Sequence, residues 1–278
     1  MMNKNNALET FSPLFEPKTI AVVGASARSF ALPNTFMKRI RDLGYKGDIY
    51  PIHPSAAEID GLTAYKSLAD TPKPIDYAYI AVAGGLIPAM LETAKGRLRF
   101  AHVISSGFGE VDEGRDLQEK LVAAAHAGGL RLIGPNCMGL FSPRGSVTFA
   151  EVGQRDVGTV GVISQSGGLG TDIIRRGFAR GVKFSGVVTV GTPVASFVRD
   201  GLCAAAVGLR EGMTPGLVAR GLEAADGLHG RVVAGGVPGD VGEGHALAVD
   251  RFLVGSGRVG PVELGAELVV DPETRVGI

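Results

Sequence analysis

Tryptophan is absent, and only two cysteines, Cys137 and Cys203, occur in 278 residues. They lie far apart and match no metal-ligand spacing, so neither a metal cluster nor a disulfide framework is expected, and a reducing cytoplasm suits the chain. No stretch of about 18 apolar residues occurs, so no membrane-spanning helix is expected. Residues 1–15 are polar and lack the apolar core of a signal peptide. Basic and acidic residues balance at 28 each, leaving no charge excess of the kind that attracts nucleic acid or other polyanions. The dinucleotide fingerprint G-x-G-x-x-G after the first strand and the P-loop G-x-x-x-x-G-K-[ST] are both missing. The last lysine is Lys183, and 17 of the 42 glycines fall in residues 201–278. Glycine is costly inside helices and strands, so the pattern is read chiefly from the first 190 residues.

Apolar residues make up 45% of the chain and charged residues 20%, enough for a sizeable core. The length predicts two domains. Short apolar runs alternate with helical patterns. Strands are predicted at Thr19–Val23, Asp48–Ile52, Tyr77–Val82, His102–Ser105 and Arg131–Ile133, with helices at Thr35–Leu43, Ile87–Lys95 and Leu117–Ala127. Such alternation implies a parallel sheet with helices on both faces. A segment rich in glycine, proline and charge follows and reads as a linker, 143–158. The alternation then restarts: strands Thr159–Ile163, Val187–Val190, Ala205–Leu209 and Arg231–Ala234, helices Gly168–Arg180 and Pro215–Ala225. The expected architecture is α/β: a Rossmann-like domain over 8–142 and a flavodoxin-like, doubly wound parallel-sheet domain over 159–278.

Two turns carry candidate chemistry. In open α/β sheets, ligands bind beyond the carboxyl ends of the strands. Gly24-Ala25-Ser26 follows the first strand, where a glycine permits a tight turn and brings backbone N–H groups toward a phosphate. Equally, it is a turn with no ligand. Ser164-Gln165-Ser166-Gly167-Gly168 stands between a strand and a helix, and offers hydroxyls and N–H groups at the positive end of a helix dipole. Its bland reading is N-capping by Ser166. A nucleophilic Cys137 would need a base or a depressed pKa; the sequence shows no partner, and a structural thiol is the preferred reading.

The ordered segments TIAVVGAS, LGYKGDIYPIHP, GLTAYKSLADTP, DYAYIAV, HVISSGFGE and LRLIGPNCMGLFSP resemble the N-terminal domain of nucleoside-diphosphate-forming acyl-CoA synthetases, the family of succinyl-CoA synthetase alpha subunits. The resemblance runs from Ser12 to Gly191, and Gly134-Pro135-Asn136-Cys137-Met138-Gly139 is its most specific part. It implies CoA binding, with the nucleotide end of CoA at Gly24, Ala25 and Ser26. His53, which replaces the family's Asn, and Pro54 would follow the second strand. Ala83 would line the pocket within Ala81–Gly85, and Ser105, Ser106 and Gly107 after the next strand. Asn136 and Cys137 would lie near the pantetheine arm.

The resemblance also implies a phosphohistidine. His245 in Gly244-His245-Ala246 matches the family's catalytic loop, Glu211 matches its orienting carboxylate, and Ser164, Gln165, Ser166 and Gly167 would cradle the phosphoryl group. The glycine-rich continuation after the family's His is shortened here, and Gly191-Thr192 stands for its usual Gly-Asn. No metal site is expected. Nucleotide and Mg would sit on a partner chain carrying an ATP-grasp domain, in an oligomer. Two readings follow: a synthetase subunit, inactive alone, that joins a small carboxylic acid to CoA, or a non-catalytic CoA- or acyl-CoA-binding protein. A dinucleotide oxidoreductase is the weaker third, since His53 stands where an acidic residue would be wanted.

Overall fold

A computed structural model of the chain describes residues 4–28, 31–94, 96–151, 154–158, 160–164, 166–192, 232–236, 246–249, 267–271 and 274–277. The elements in order are α1 (Lys4–Phe15), β1 (Thr19–Val23), α2 (Leu32–Leu43), β2 (Asp48–Ile52), β3 (Glu58–Ile59), β4 (Leu62–Thr63), β5 (Ile75–Ile80), α3 (Ile87–Thr93), β6 (Leu98–Val103), α4 (Arg115–Gly128), β7 (Arg131–Ile133), β8 (Leu140–Phe141), β9 (Val160–Ser164), α5 (Gly167–Ala179), β10 (Phe184–Thr189), β11 (Val232–Gly236), β12 (Ala246–Val249), β13 (Glu267–Asp271) and β14 (Thr274–Gly277).

The first sheet has the order β2-β1-β5-β6-β7, and every pair in it is parallel. Its strands are apolar on both faces, as a sheet covered on both sides requires. Alternate residues divide cleanly. Ala21, Val23, Ala78, Ile80, Ala101 and Val103 pack against Ile87 and Leu91 of α3 and Leu121 of α4. Ile20, Val22, Tyr77, Tyr79 and Phe100 face Phe36, Met37 and Ile40 of α2, and Phe11, Leu14 and Phe15 of α1. Helix α1 was not expected from the sequence. Its residues 11, 14 and 15 share a face, but Pro13 between them obscures the pattern.

The second sheet has the order β12-β11-β9-β10-β8. A doubly wound parallel sheet was expected over 159–278, and the strands described there pair in both directions. Among the described residues, β9 and β10, joined through α5, are the parallel pair; β8, β11 and β12 run antiparallel to their neighbours. Nine residues separate β11 from β12, fewer than a parallel crossover needs. The predicted strand 205–209 and helix 215–225 lie outside the described residues.

Strand β8 belongs to the second sheet although it directly follows the loop leaving the first, so the chain crosses between sheets at residues 134–139. Residues beyond it are tied back onto the first unit. The Ser142 hydroxyl donates to the Phe15 carbonyl at 2.7 Å, Arg144 pairs with Glu16 at 3.2 Å, and the Arg155 guanidinium donates to the Asp42 carbonyl at 3.0 Å.

One buried group joins these parts. His102 of β6 is fully enclosed. Its Nε2 lies 2.8 Å from the Cys137 carbonyl oxygen, which can only accept, so Nε2 carries the proton. Its Nδ1 therefore accepts from the Tyr77 hydroxyl at 2.7 Å. Gly139, at φ 106°, lies against the imidazole; a side chain there would run into the ring. Burial lowers the His102 pKa to about 4, against the opposing hydrogen bond to Cys137.

Below its unfolded value of 6.5, the unfolded state takes up a proton at His102 that the native state refuses down to about pH 4. Stability from this group is therefore fully present above pH 6.5 and falls across that window by up to about 3 kcal/mol. Urea unfolding of the unaltered protein and of His102→Gln should show a steeper loss of stability toward acid in the former. Equal slopes would show that His102 does not carry the effect.

Candidate functional site

The C-terminal edge of the first sheet is built from the loops that leave β1, β2, β5, β6 and β7. After β1 the chain turns at Gly24, with φ 94°. A side chain there would collide with the Ala81 carbonyl of the neighbouring loop, so only glycine lets the two loops meet. Ala25 is buried. Ser26 is fastened through its backbone: its N–H donates to Asn34 Oδ1 at 2.8 Å, and its carbonyl accepts from Asn34 Nδ2 at 3.0 Å. The Ser26 hydroxyl accepts from the Arg28 N–H. Asn34 was not singled out from the sequence, although it lies just inside the helix that follows the turn.

After β2, His53 closes its own turn. Its Nδ1 accepts from the N–H groups of Ala56 at 2.9 Å and Ser55 at 3.2 Å, as an Asn or Asp side chain does in comparable turns. Pro54 is exposed beside it. Ala83, also exposed, opens a single 3-10 turn before α3. The Ser105 hydroxyl donates to the Val82 carbonyl at 2.6 Å, locking the β5 and β6 loops together. Ser106 is exposed. The N–H groups of Gly107 and Phe108 are both directed at the carboxylate of Glu110, so the chain itself supplies the anion for those donors. Two large apolar side chains stand out on this rim, Leu86 at 60% and Val111 at 44% exposure.

The loop at 134–139 meets the second unit. The Asn136 N–H donates to the Ser105 carbonyl at 3.0 Å, and the Asn136 side chain is exposed. Cys137 is 3% exposed, and its thiol donates to the Thr189 carbonyl at 2.7 Å. Burial pushes this thiol up to about 12, against the hydrogen bonds from Thr189 and the Gly139 backbone. Such a group is a poor nucleophile near neutrality, in line with the structural reading of Cys137.

At the start of α5, Ser166 is the N-cap; its hydroxyl accepts from the Leu169 N–H at 3.2 Å. Ser164 is buried, and its hydroxyl donates to the Ser166 carbonyl at 2.8 Å. Gly167 packs against the Met138 side chain. Gly191 lies against the Pro135 and Asn136 carbonyls, and the Thr192 N–H donates to the Pro135 carbonyl at 2.9 Å. The loop leaving β6, the loop at 134–139, the turn entering α5 and the end of β10 thus come together at one junction of the two sheets. Gln165, Glu211 and His245 lie outside the described residues. A cavity of about 400 Å³ at the start of β2, lined by Arg41, Tyr45, Asp48 and Tyr50, includes none of the expected site residues. Among the described residues, no group of acidic, His or Cys side chains is arranged to hold a metal ion, and no helix is long and apolar enough to cross a membrane.

Residues 18–143 match the family described as CoA binding domain. The chain is 34% identical over 188 residues to a 4-hydroxybutyrate–CoA ligase (ADP-forming) of Nitrosopumilus maritimus, covering 66% of this chain and 27% of that protein. It is 36% identical over 187 residues to the alpha subunit of acetate–CoA ligase (ADP-forming) I of Pyrococcus furiosus, covering 64% of this chain and 40% of that one. Its fold superposes on the dinucleotide forming acetyl-coenzyme A synthetase 1 of Ca. Korarchaeum cryptofilum, solved in complex with phosphate and ADP, with a TM-score of 0.60, 33% identity, and coverage of 69% and 42% of the two chains. The chain therefore spans less than half the length of these relatives.

In a Cys203→Ser background, Cys137 should react with a thiol reagent only as fast as the protein unfolds. Rapid labelling of the native protein would show that the loop opens.

Proposed function

We propose that this chain is the CoA-binding part of a nucleoside-diphosphate-forming acyl-CoA synthetase, catalysing acid + CoA + NTP ⇌ acyl-CoA + NDP + phosphate together with a partner chain that grasps the nucleotide. The observation that carries this is the junction of the two sheets: it brings two of the loops expected to receive CoA, the one leaving β6 and the one at 134–139, beside the turn expected to receive phosphate, and those two loops fall within the stretch similar to the CoA-binding domains. The ligase names of the relatives supply the reaction class.

In this reading the row from Gly24 to Ser26, with His53 and Pro54, receives the nucleotide end of CoA. Ala83, Ser105, Ser106, Gly107 and Asn136 follow the pantetheine arm toward the second unit, with Cys137 beneath it as a packing residue. Leu86 and Val111 offer the apolar surface that the arm's methyl and methylene groups would cover. Phosphate attacks the thioester carbon, the C–S bond breaks, and CoA leaves as thiolate. The imidazole of His245, oriented by Glu211, then attacks phosphorus and releases the carboxylate. The turn Ser164–Gly167 supports the charge with the N–H groups and dipole of α5. The final acceptor, NDP, with Mg, belongs to the partner.

The alternative is a CoA- or acyl-CoA-binding protein without catalysis. It is favoured by the hydroxyls of Ser164 and Ser166, both of which already hold the turn itself together.

Calorimetry should show CoA or an acyl-CoA binding more tightly than NAD, and Gly24→Val should weaken CoA by at least about tenfold, since a side chain there meets the Ala81 carbonyl. Tight NAD binding without a CoA signal would refute the proposal. Incubation with labelled NTP and the partner chain should place acid-labile phosphate on His245. His245→Ala should lose the label and keep CoA affinity; a chain that binds CoA but never takes up label is the non-catalytic alternative.

A further inference from the structure

The turn after β1 is held by a side chain reaching back from the following helix. Residue Ala31, at the N-cap of α2, provides no side-chain hydrogen bond. Asn34, only 5% exposed, instead uses its amide three ways. Oδ1 accepts from the Ser26 N–H, and Nδ2 donates to the Ser26 carbonyl and, at 2.9 Å, to Asp60 Oδ2. Rotating the amide by half a turn would set its oxygen against the Ser26 carbonyl and the Asp60 carboxylate, so Asp60 fixes which way the amide points. Asp60 is itself restrained. It occupies the left-handed region, φ 51°, in the turn between β3 and β4, and its carbonyl accepts from both terminal nitrogens of Arg41, two helical turns beyond Asn34.

We infer that Asn34, oriented by Asp60, is the positioning residue for the nucleotide end of CoA. It gives the Gly24–Ser26 turn a single conformation before ligand arrives, and a turn already in its bound shape loses less freedom on binding. Because the Ser26 N–H is committed to Asn34, the contribution is the shape of the turn rather than that donor. The inference rests on the CoA reading above and adds to it a residue that does not touch the ligand.

The test separates a positioning role from a role in stability alone. CoA and 4′-phosphopantetheine, which lacks the adenosine portion, are titrated into the full chain by calorimetry, with competition where binding is weak. Asn34→Ala should weaken CoA by about tenfold while 4′-phosphopantetheine stays within about twofold. Asn34→Asp keeps the acceptor for Ser26 but loses both donations and faces Asp60, and it should show the same selective loss. Asp60→Asn, at an exposed position whose left-handed conformation Asn also adopts, should show a smaller loss of the same selectivity, and decides the matter should the Asn34 variants fail to fold. Equal losses for both ligands, or CoA affinity unchanged in every variant, would overturn the inference while leaving CoA binding intact. Absence of CoA binding by the unaltered protein would instead overturn the CoA reading, and this inference with it.

Discussion

A single buried imidazole is the constraint on which the junction of the two sheets depends. His102 stays neutral, because burial disfavours its charged form, and its one proton must point at the Cys137 carbonyl, because a carbonyl can only accept. That fixes the 134–139 loop over the end of β6. The loop in turn holds Thr189: the Cys137 thiol and the Gly139 N–H both meet it. Tyr77 closes the chain of bonds on the other side. The end of β10 and the end of β6 are thus registered through four buried polar residues. Such a network is worth more than its separate bonds, since breaking one strands the next.

The first sheet was legible because its strands are short apolar runs bounded by turn residues, and their residue-by-residue alternation is also the division between the two helical layers. Boundaries moved where a polar residue interrupts the run: β5 begins at Ile75 rather than Tyr77 because Asp76 between them is used, its carboxylate accepting the Lys18 N–H. His102 was read merely as the first residue of a strand. The signal lay in the same alternation, which puts it on the face of Phe100 among tyrosines, but a histidine carries no mark of being buried. The antiparallel partners in the second sheet were not legible, because strand direction follows from connection lengths across a glycine-rich region with little periodicity. Asn34 was missed for a different reason. Its role depends on the seven intervening residues bringing Ser26 back to it and on a hairpin bringing Asp60, neither of which is a local pattern.

The candidate site shows the same division. Gly24 was singled out as a turn glycine, and the structure adds the reason, the nearby Ala81 carbonyl. His53 was expected after the second strand, and its Nδ1 closes the turn there. Ser105 was expected to line the pocket and Ser164 to offer a hydroxyl; the first hydroxyl secures the neighbouring loop and the second secures its own turn. Much of the polar chemistry visible in the sequence therefore serves to hold loops in place, leaving backbone groups and exposed apolar side chains to define the surface that a ligand would meet.

Helix α1 sets an order of events during synthesis. It is made well before the surfaces that cover it. Phe11 packs on Phe100 of β6 and beneath the Arg131 guanidinium of β7, while the Phe15 ring lies against Gly186 of β10 and its carbonyl waits for Ser142. A nascent chain therefore carries Phe11 uncovered until residue 131 is available, and Phe15 until residue 186. Over that interval those rings are open to chaperones, or to another chain in the same state.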